Sequence, residues 1–149
     1  MDTLQLLKQV PLFRNISEPA MKLVADAAEE LTFSAGQTIV TEGQASGALY
    51  VVLRGQVRAF REGEATPIML GPGDSIGEVS LLDGGPIGLT MVALERSDLV
   101  ALRLERLKKL ADNHEAAHQF FRNVAVRLAV RLRAVANAYA LALEAARRH

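Results

Sequence analysis

The chain has 149 residues, half of them hydrophobic, with 17 lysines and arginines balanced by 17 aspartates and glutamates, and it contains no cysteine. That length accommodates one domain with a full core, and the missing cysteines exclude disulfides, thiolate metal sites and a cysteine nucleophile. No basic-then-apolar leader opens the chain and no apolar run approaches about 18 residues, so a cytoplasmic protein with no membrane association is expected.

Leu4, Leu7 and Val10 stand at helical spacing, and Pro11 ends that short helix so that Phe13 can pack back as an anchor. Ser17 is a good N-cap and Pro19 is tolerated in a first turn. A second helix is therefore expected from about Glu18 to Ala28, with Met21, Val24 and Ala28 on one side. From Leu31 the pattern changes to short β runs separated by glycine: Thr38 to Glu42, Ala48 to Leu53, Gln56 to Arg61, Thr66 to Leu70, Gly88 to Leu94 and Leu99 to Leu104. Arg54-Gly55 and Glu62-Gly63 read as hairpin turns, and the regular spacing predicts an antiparallel roll or barrel. Its largest interruption is residues 71–90, a glycine- and proline-rich loop with room for a short helix over Glu78 to Leu82; loops of that length in compact barrels are commonly functional.

Glu105 to Asp112 reads as a short helix, and Asn113 as the N-cap of a long one reaching towards Arg147. In it Phe121, Ala125, Leu128, Leu132, Val135, Tyr139 and Ala142 recur at alternating steps of four and three, a coiled-coil seam. A second copy of the chain is the simplest partner for such a stripe; folding back on its own domain is the alternative. Residues 120–149 hold six arginines and one acid, Glu144, so the tail is basic and the body acidic. With no aromatic residues interleaved to stack on bases, a solvated face is expected rather than a nucleic-acid surface.

The sequence Ile76-Gly77-Glu78-Val79-Ser80-Leu81-Leu82-Asp83-Gly84-Gly85-Pro86 resembles the phosphate-binding cassette of the cyclic-nucleotide-binding domain family. Leu49 to Val57 is similar to that family's central hairpin, and Val10-Pro11-Leu12-Phe13 to its entry segment. The resemblance implies an α+β, mainly β fold: an eight-stranded antiparallel jelly-roll-like barrel with short N-terminal helices and a long C-terminal helix. It divides the chain into a roll with its N-terminal helices over residues 1–112 and a dimerisation helix over residues 113–149 of the same domain. It further implies a ligand site at Ile76, Gly77, Glu78, Val79, Pro86, Ile87 and Gly88, with Glu78 taking the ribose hydroxyl of cyclic AMP or cyclic GMP. In the family an arginine and a small hydroxyl residue follow the cassette proline and hold the phosphate; here they are Ile87 and Gly88. Removing one partner of a buried charge pair costs about 2 to 5 kcal/mol. The expectation is a regulatory sensor with weak or altered ligand binding, unless Arg58, Arg127 or Arg131 reaches in.

Two other constellations compete. His114-Glu115-Ala116-Ala117-His118 fits the H-E-x-x-H pattern of zinc hydrolases, but Glu144, the one acid further along, would lie about 39 Å from His118 on a continuous helix. Asp74, Glu78 and Asp83 are three carboxylates, yet turn chemistry alone would place Asp74 and Asp83 in Gly-Pro-Gly-Asp and Asp-Gly. Neither a nucleophile triad nor a dinucleotide or Walker fingerprint occurs. The reading is therefore non-enzymatic, with no metal. The chain is expected to be a homodimer that signals to a partner protein and, lacking a helix-turn-helix after the long helix, does not read DNA sequence by itself. The alternative is a degenerate dimerisation domain that binds nothing small.

Overall fold

The computed structural model describes residues 2–64, 66–107, 110 and 112–148. Two short helices, α1 (Thr3–Lys8) and α2 (Glu18–Ala27), flank a 3-10 turn at Pro11–Phe13. Each starts at a side-chain cap: Asp2 accepts from the Gln5 amide and Ser17 from the Ala20 amide. Such caps satisfy N–H groups that a helix start leaves without partners. α2 stops one residue earlier than expected, because Ala28 already opens strand β1 (Ala28–Phe33).

Seven further strands follow: β2 (Thr38–Val40), β3 (Ala48–Arg54), β4 (Val57–Phe60), β5 (Ile68–Leu70), β6 (Ser75–Ile76), β7 (Thr90–Ala93) and β8 (Ser97–Arg103). All pairings are antiparallel, in two four-stranded sheets ordered β1-β8-β3-β6 and β2-β7-β4-β5. This is the expected jelly-roll fold, with its eight strands in two sheets. Arg54-Gly55 is not a hairpin turn: β3 and β4 pair in different sheets, and the chain crosses from one to the other there. Gly55 is required twice over, by its φ of 97° and because a Cβ would lie 2.3 Å from Ser97 Oγ. Glu62-Gly63 does lie in a hairpin connection, between β4 and β5.

β3 is buried on both faces. Ala48, Tyr50 and Val52 point between the sheets with Val57, Ala59, Ile76, Ile87, Met91 and Leu99. Leu49, Val51 and Leu53 point the other way, against Leu7, Phe13, Met21, Val24 and Phe120 of the helical layer. A strand covered on both sides reads as a continuous apolar run, which is why this segment lacks alternation.

After a 3-10 turn at Leu104–Leu107 the chain reaches the last helix, α4 (His114–Arg147). The short helix expected over residues 105–112 includes residues 108, 109 and 111, which lie outside the described residues. Asn113 caps α4 by accepting from the Ala116 amide at 3.2 Å. Ala116, Phe120 and Val124, one turn apart, bury its first part against the helical layer. Phe120 is fully buried and stacks on Phe13 with ring centroids 5.9 Å apart, a burial that stabilises by about 2 to 3 kcal/mol. Asn123 Nδ2 donates to the carbonyls of Leu12 and Arg14, both at 2.9 Å, pinning α4 to the 3-10 turn. Beyond Leu128 every described residue of α4 is exposed; the helix does not fold back along the roll.

Candidate functional site

The loop between β6 and β7 carries a third helix in chain order, α3 (Glu78–Asp83), bounded by Gly77 and Gly84 in left-handed conformations. Gly77 has φ 101°, and a Cβ there would stand 2.6 Å from the Ala48 carbonyl oxygen, so the loop crosses β3 at a distance only glycine permits. That crossing turns Glu78 inward. Ser80, also buried, donates to the Gly85 carbonyl at 2.7 Å and accepts from the Gly47 amide, holding the loop against the segment before β3. The loop's end is tied to the neighbouring turn by Ile87 N–H donating to Gln44 O and Gly43 N–H donating to Ile87 O. Asp74 and Asp83 accept from the amides of Gly71 and Gly85, the turn roles their positions suggested.

Glu78 is the chemical centre of this region. Its side chain is 1% exposed, and a buried carboxylate must be paired and hydrogen-bonded to stay charged. Ser75 Oγ donates to Oε1 at 2.7 Å and Arg131 Nη1 to Oε2 at 2.7 Å, while Arg131 Nη2 donates to the Ser75 carbonyl at 2.8 Å. Arg127 Nε lies 3.5 Å from Oε1, close enough for charge attraction, but this buried atom makes no hydrogen bond. Burial alone would push the Glu78 carboxyl up. The Ser75 hydroxyl, the Arg131 charge, the residue's own amide and the Arg131 hydrogen bond outweigh it and hold the group below the usual carboxylate range.

Beside Glu78 opens a cleft of about 300 Å³, lined among others by Arg61, Gly77, Ile87, Gly88 and Arg131. Ile76 and Ile87 sit on its inner side as members of the core between the sheets. Val79 is 59% exposed on the outside of α3, Pro86 bridges to Ala45, and Gly88 is exposed at the rim. All seven expected residues thus line one cleft, whose walls at residues 87 and 88 carry no charge. Of the three arginines considered as substitutes, Arg58 faces away from the core and stacks 4.8 Å over the Phe60 ring. Arg127 and Arg131 are engaged with Glu78. Arg61, which stands directly after β4, also lines the cleft and was not among the arginines considered.

The residues of the helical seam do not share one environment. Leu128 is partly buried against the helical layer, and Phe121 is 37%, Leu132 69%, Val135 65% and Tyr139 65% exposed. His114, Glu115 and His118 are exposed on the first turns of α4. Among the described residues no group of three or more His, Cys, Asp or Glu could hold a metal ion, and none of the described helices is long and apolar enough to cross a membrane.

A two-sheet jelly roll with an N-terminal helical layer, a helix-bearing glycine loop over its mouth and a long last helix is the architecture of a ligand-sensing regulatory module. The model of the cyclic nucleotide-binding domain family matches residues 30–114, and the chain belongs to that family. It is 36% identical over 132 residues to the cyclic AMP receptor protein of Thermus thermophilus, covering 85% of this chain and 59% of that protein. The crystal structure of the Thermus thermophilus catabolite activator protein superposes with a TM-score of 0.78 at 32% identity, covering 88% of this chain and 62% of the other. The regulatory domain of Toxoplasma gondii PKA, solved with cAMP, superposes with a TM-score of 0.62 at 28% identity, covering 71% and 42%. These relatives are receptors and regulatory domains, and the chain spans less than two thirds of the length of each.

Proposed function

We propose that this chain is a cyclic-nucleotide sensor that couples occupancy of the Glu78 cleft to its C-terminal helix. The observation that carries the reading is the Arg131–Glu78 ion pair, which connects α4 to the cassette from a point past its last buried residue. Each carboxylate oxygen of Glu78 accepts one short hydrogen bond and has a second lone pair. A ribose hydroxyl can therefore donate to Glu78 alongside Ser75 and Arg131 once the groups that leave its side chain 1% exposed shift aside. The cyclic phosphate, directed to the other end of the cleft, meets Ile87 and Gly88 in place of an arginine and a hydroxyl, and ligand binding is weakened or altered accordingly.

α4 is the element through which the chain pairs with a second copy and signals to a partner protein. Supporting this is the run of exposed apolar side chains at Leu132, Val135 and Tyr139, which the chain's own roll leaves uncovered. The reading carries with it a cytoplasmic, non-enzymatic regulator. A second reading, a dimerisation domain without a small ligand, is favoured by the apolar Ile87 wall alone. Calorimetric titration of the full chain with cyclic AMP, cyclic GMP and a cyclic dinucleotide separates the two. Saturable binding of a cyclic mononucleotide weaker than micromolar is expected; micromolar or tighter binding overturns the weakened site, and no heat up to millimolar concentration overturns the sensor in favour of the second reading.

A further inference from the structure

The end of the cleft at Ile87 and Gly88 has a cation that the cassette does not supply. Along β4, Val57 and Ala59 are fully buried between the sheets, whereas Arg58 is exposed and stacks over Phe60 on the outer face. Side chains of a strand alternate between faces. Arg61 follows directly where β4 ends at Phe60, and it lines the same cleft as Glu78, Ile87 and Gly88. β4 pairs with β7 up to Phe60 opposite Thr90, which brings Arg61 alongside the loop that leads into β7. A methyl group at Gly88 would sit 3.8 Å from Arg61 Nη2, so the guanidinium lies against the bare backbone of residue 88. Arg61 is exposed, and its side chain forms no ion pair or hydrogen bond among the described residues. Arg127 and Arg131 have their charge committed to Glu78.

Building on the sensor reading, we infer that Arg61 is the phosphate-holding cation of this cleft: the charge reaches the ligand from the residue that follows β4 instead of from the position after the cassette proline. Two features of the sequence then belong together. Glycine at 88 leaves the space into which the guanidinium projects, and isoleucine at 87 returns its own position to the core. Arginine suits the task because its planar fork of donors matches two phosphate oxygens at once. The ligand class is an anion whose phosphate stands across the cleft from Glu78, in keeping with a cyclic mononucleotide and not with an uncharged one.

The test is calorimetric titration of the full chain with cyclic AMP and with cyclic GMP, at low and at high salt, for the wild type, Arg61→Gln and Arg61→Lys. Loss of a charge-assisted contact should weaken both nucleotides about ten-fold or more in Arg61→Gln. The loss should be equal for the two, because the phosphate is common to them. Arg61→Lys should recover part of the affinity, and the wild type should lose more affinity with added salt than Arg61→Gln does. Circular dichroism of the exposed-site variants provides the folding control; should Arg61→Gln fail to fold, the Lys variant and the salt dependence of the wild type decide. Unchanged affinity in Arg61→Gln, or a loss confined to one nucleotide, overturns the inference while the sensor reading stands. Absence of binding by the wild type overturns the sensor reading itself, and this inference falls with it.

Discussion

At one end of the cleft a buried carboxylate, Glu78, is surrounded by Ser75, Arg127 and Arg131, and at the other Ile87 packs into the core beside a residue with no side chain. The first end is electrostatic and depends on α4; the second is hydrophobic and depends on the two sheets. The difference teaches that one binding region can be held together by two physically separate means. Changes at one end should then leave the other nearly intact, since sites without shared partners act close to additively.

The largest effect should come from Ile87→Ala, which removes three buried carbons from between the sheets. A loss of about 3 kcal/mol in urea denaturation is expected, with the Arg131–Glu78 pair unaffected. A loss under about 1 kcal/mol would show that the Ile87 end is not held by packing. Arg131→Ala should come next. It leaves the buried Glu78 charge with Ser75 and a badly placed Arg127, but the Arg131 side chain is 43% exposed. The cost should therefore be about 2 kcal/mol, below that of breaking a fully buried pair. Amide exchange in α4 around residue 131 should accelerate in the same variant while exchange near Asn123 does not.

Acid should act on the Glu78 end alone. Its folded-state pKa lies below the ordinary value, so its stabilising contribution is fully present above the unfolded pKa and is lost as pH falls through the folded one. The stability difference between wild type and Glu78→Gln should accordingly shrink between about pH 7 and about pH 3, whereas the difference between wild type and Ile87→Ala should not. A constant Glu78→Gln difference across that range would break the comparison. Changes in the exposed part of the seam should touch neither end. Val135→Glu with Tyr139→Glu is expected to leave a folded monomer in sedimentation velocity where the wild type is a dimer; a wild-type monomer at high micromolar concentration would remove the dimer. The smallest effect is expected from His118→Ala, with no change in stability or in zinc content of untagged protein. Stoichiometric zinc lost on that substitution would contradict it.

Much of the fold was legible because it rests on local rules. Ser17 and Asn113 cap helices as their types suggest, Phe13 packs back on the helical layer, and most strand centres fall where apolar runs sit between glycines. β1 was not among the runs read from the sequence, the first of which began at Thr38; its Glu29 and Glu30, half-exposed and exposed on an edge strand, break the apolar pattern. β6 was hidden, since its two residues acquire strand geometry only by pairing with Tyr50 and Val51. At the site, the cassette residues were legible as a motif with the glycine spacing that its crossing of β3 requires. The roles of Arg61 and Arg131 were not. Arg131 is 53 residues from Glu78, and nothing in the local sequence distinguishes it from the other arginines of α4.

What the sequence determined by itself is therefore the order of elements, the cassette and the long apolar-striped helix, because capping, turn chemistry and periodicity are short-range properties of neighbouring residues. Only the tertiary structure decided that β3 and β4 belong to different sheets, that Ile87 turns into the core, and that one arginine of α4 pairs with Glu78 while Arg61, just after β4, faces Gly88. Those outcomes depend on which distant backbones pack together, and a side chain's charge acquires a partner only when the folded chain brings one within a few ångströms.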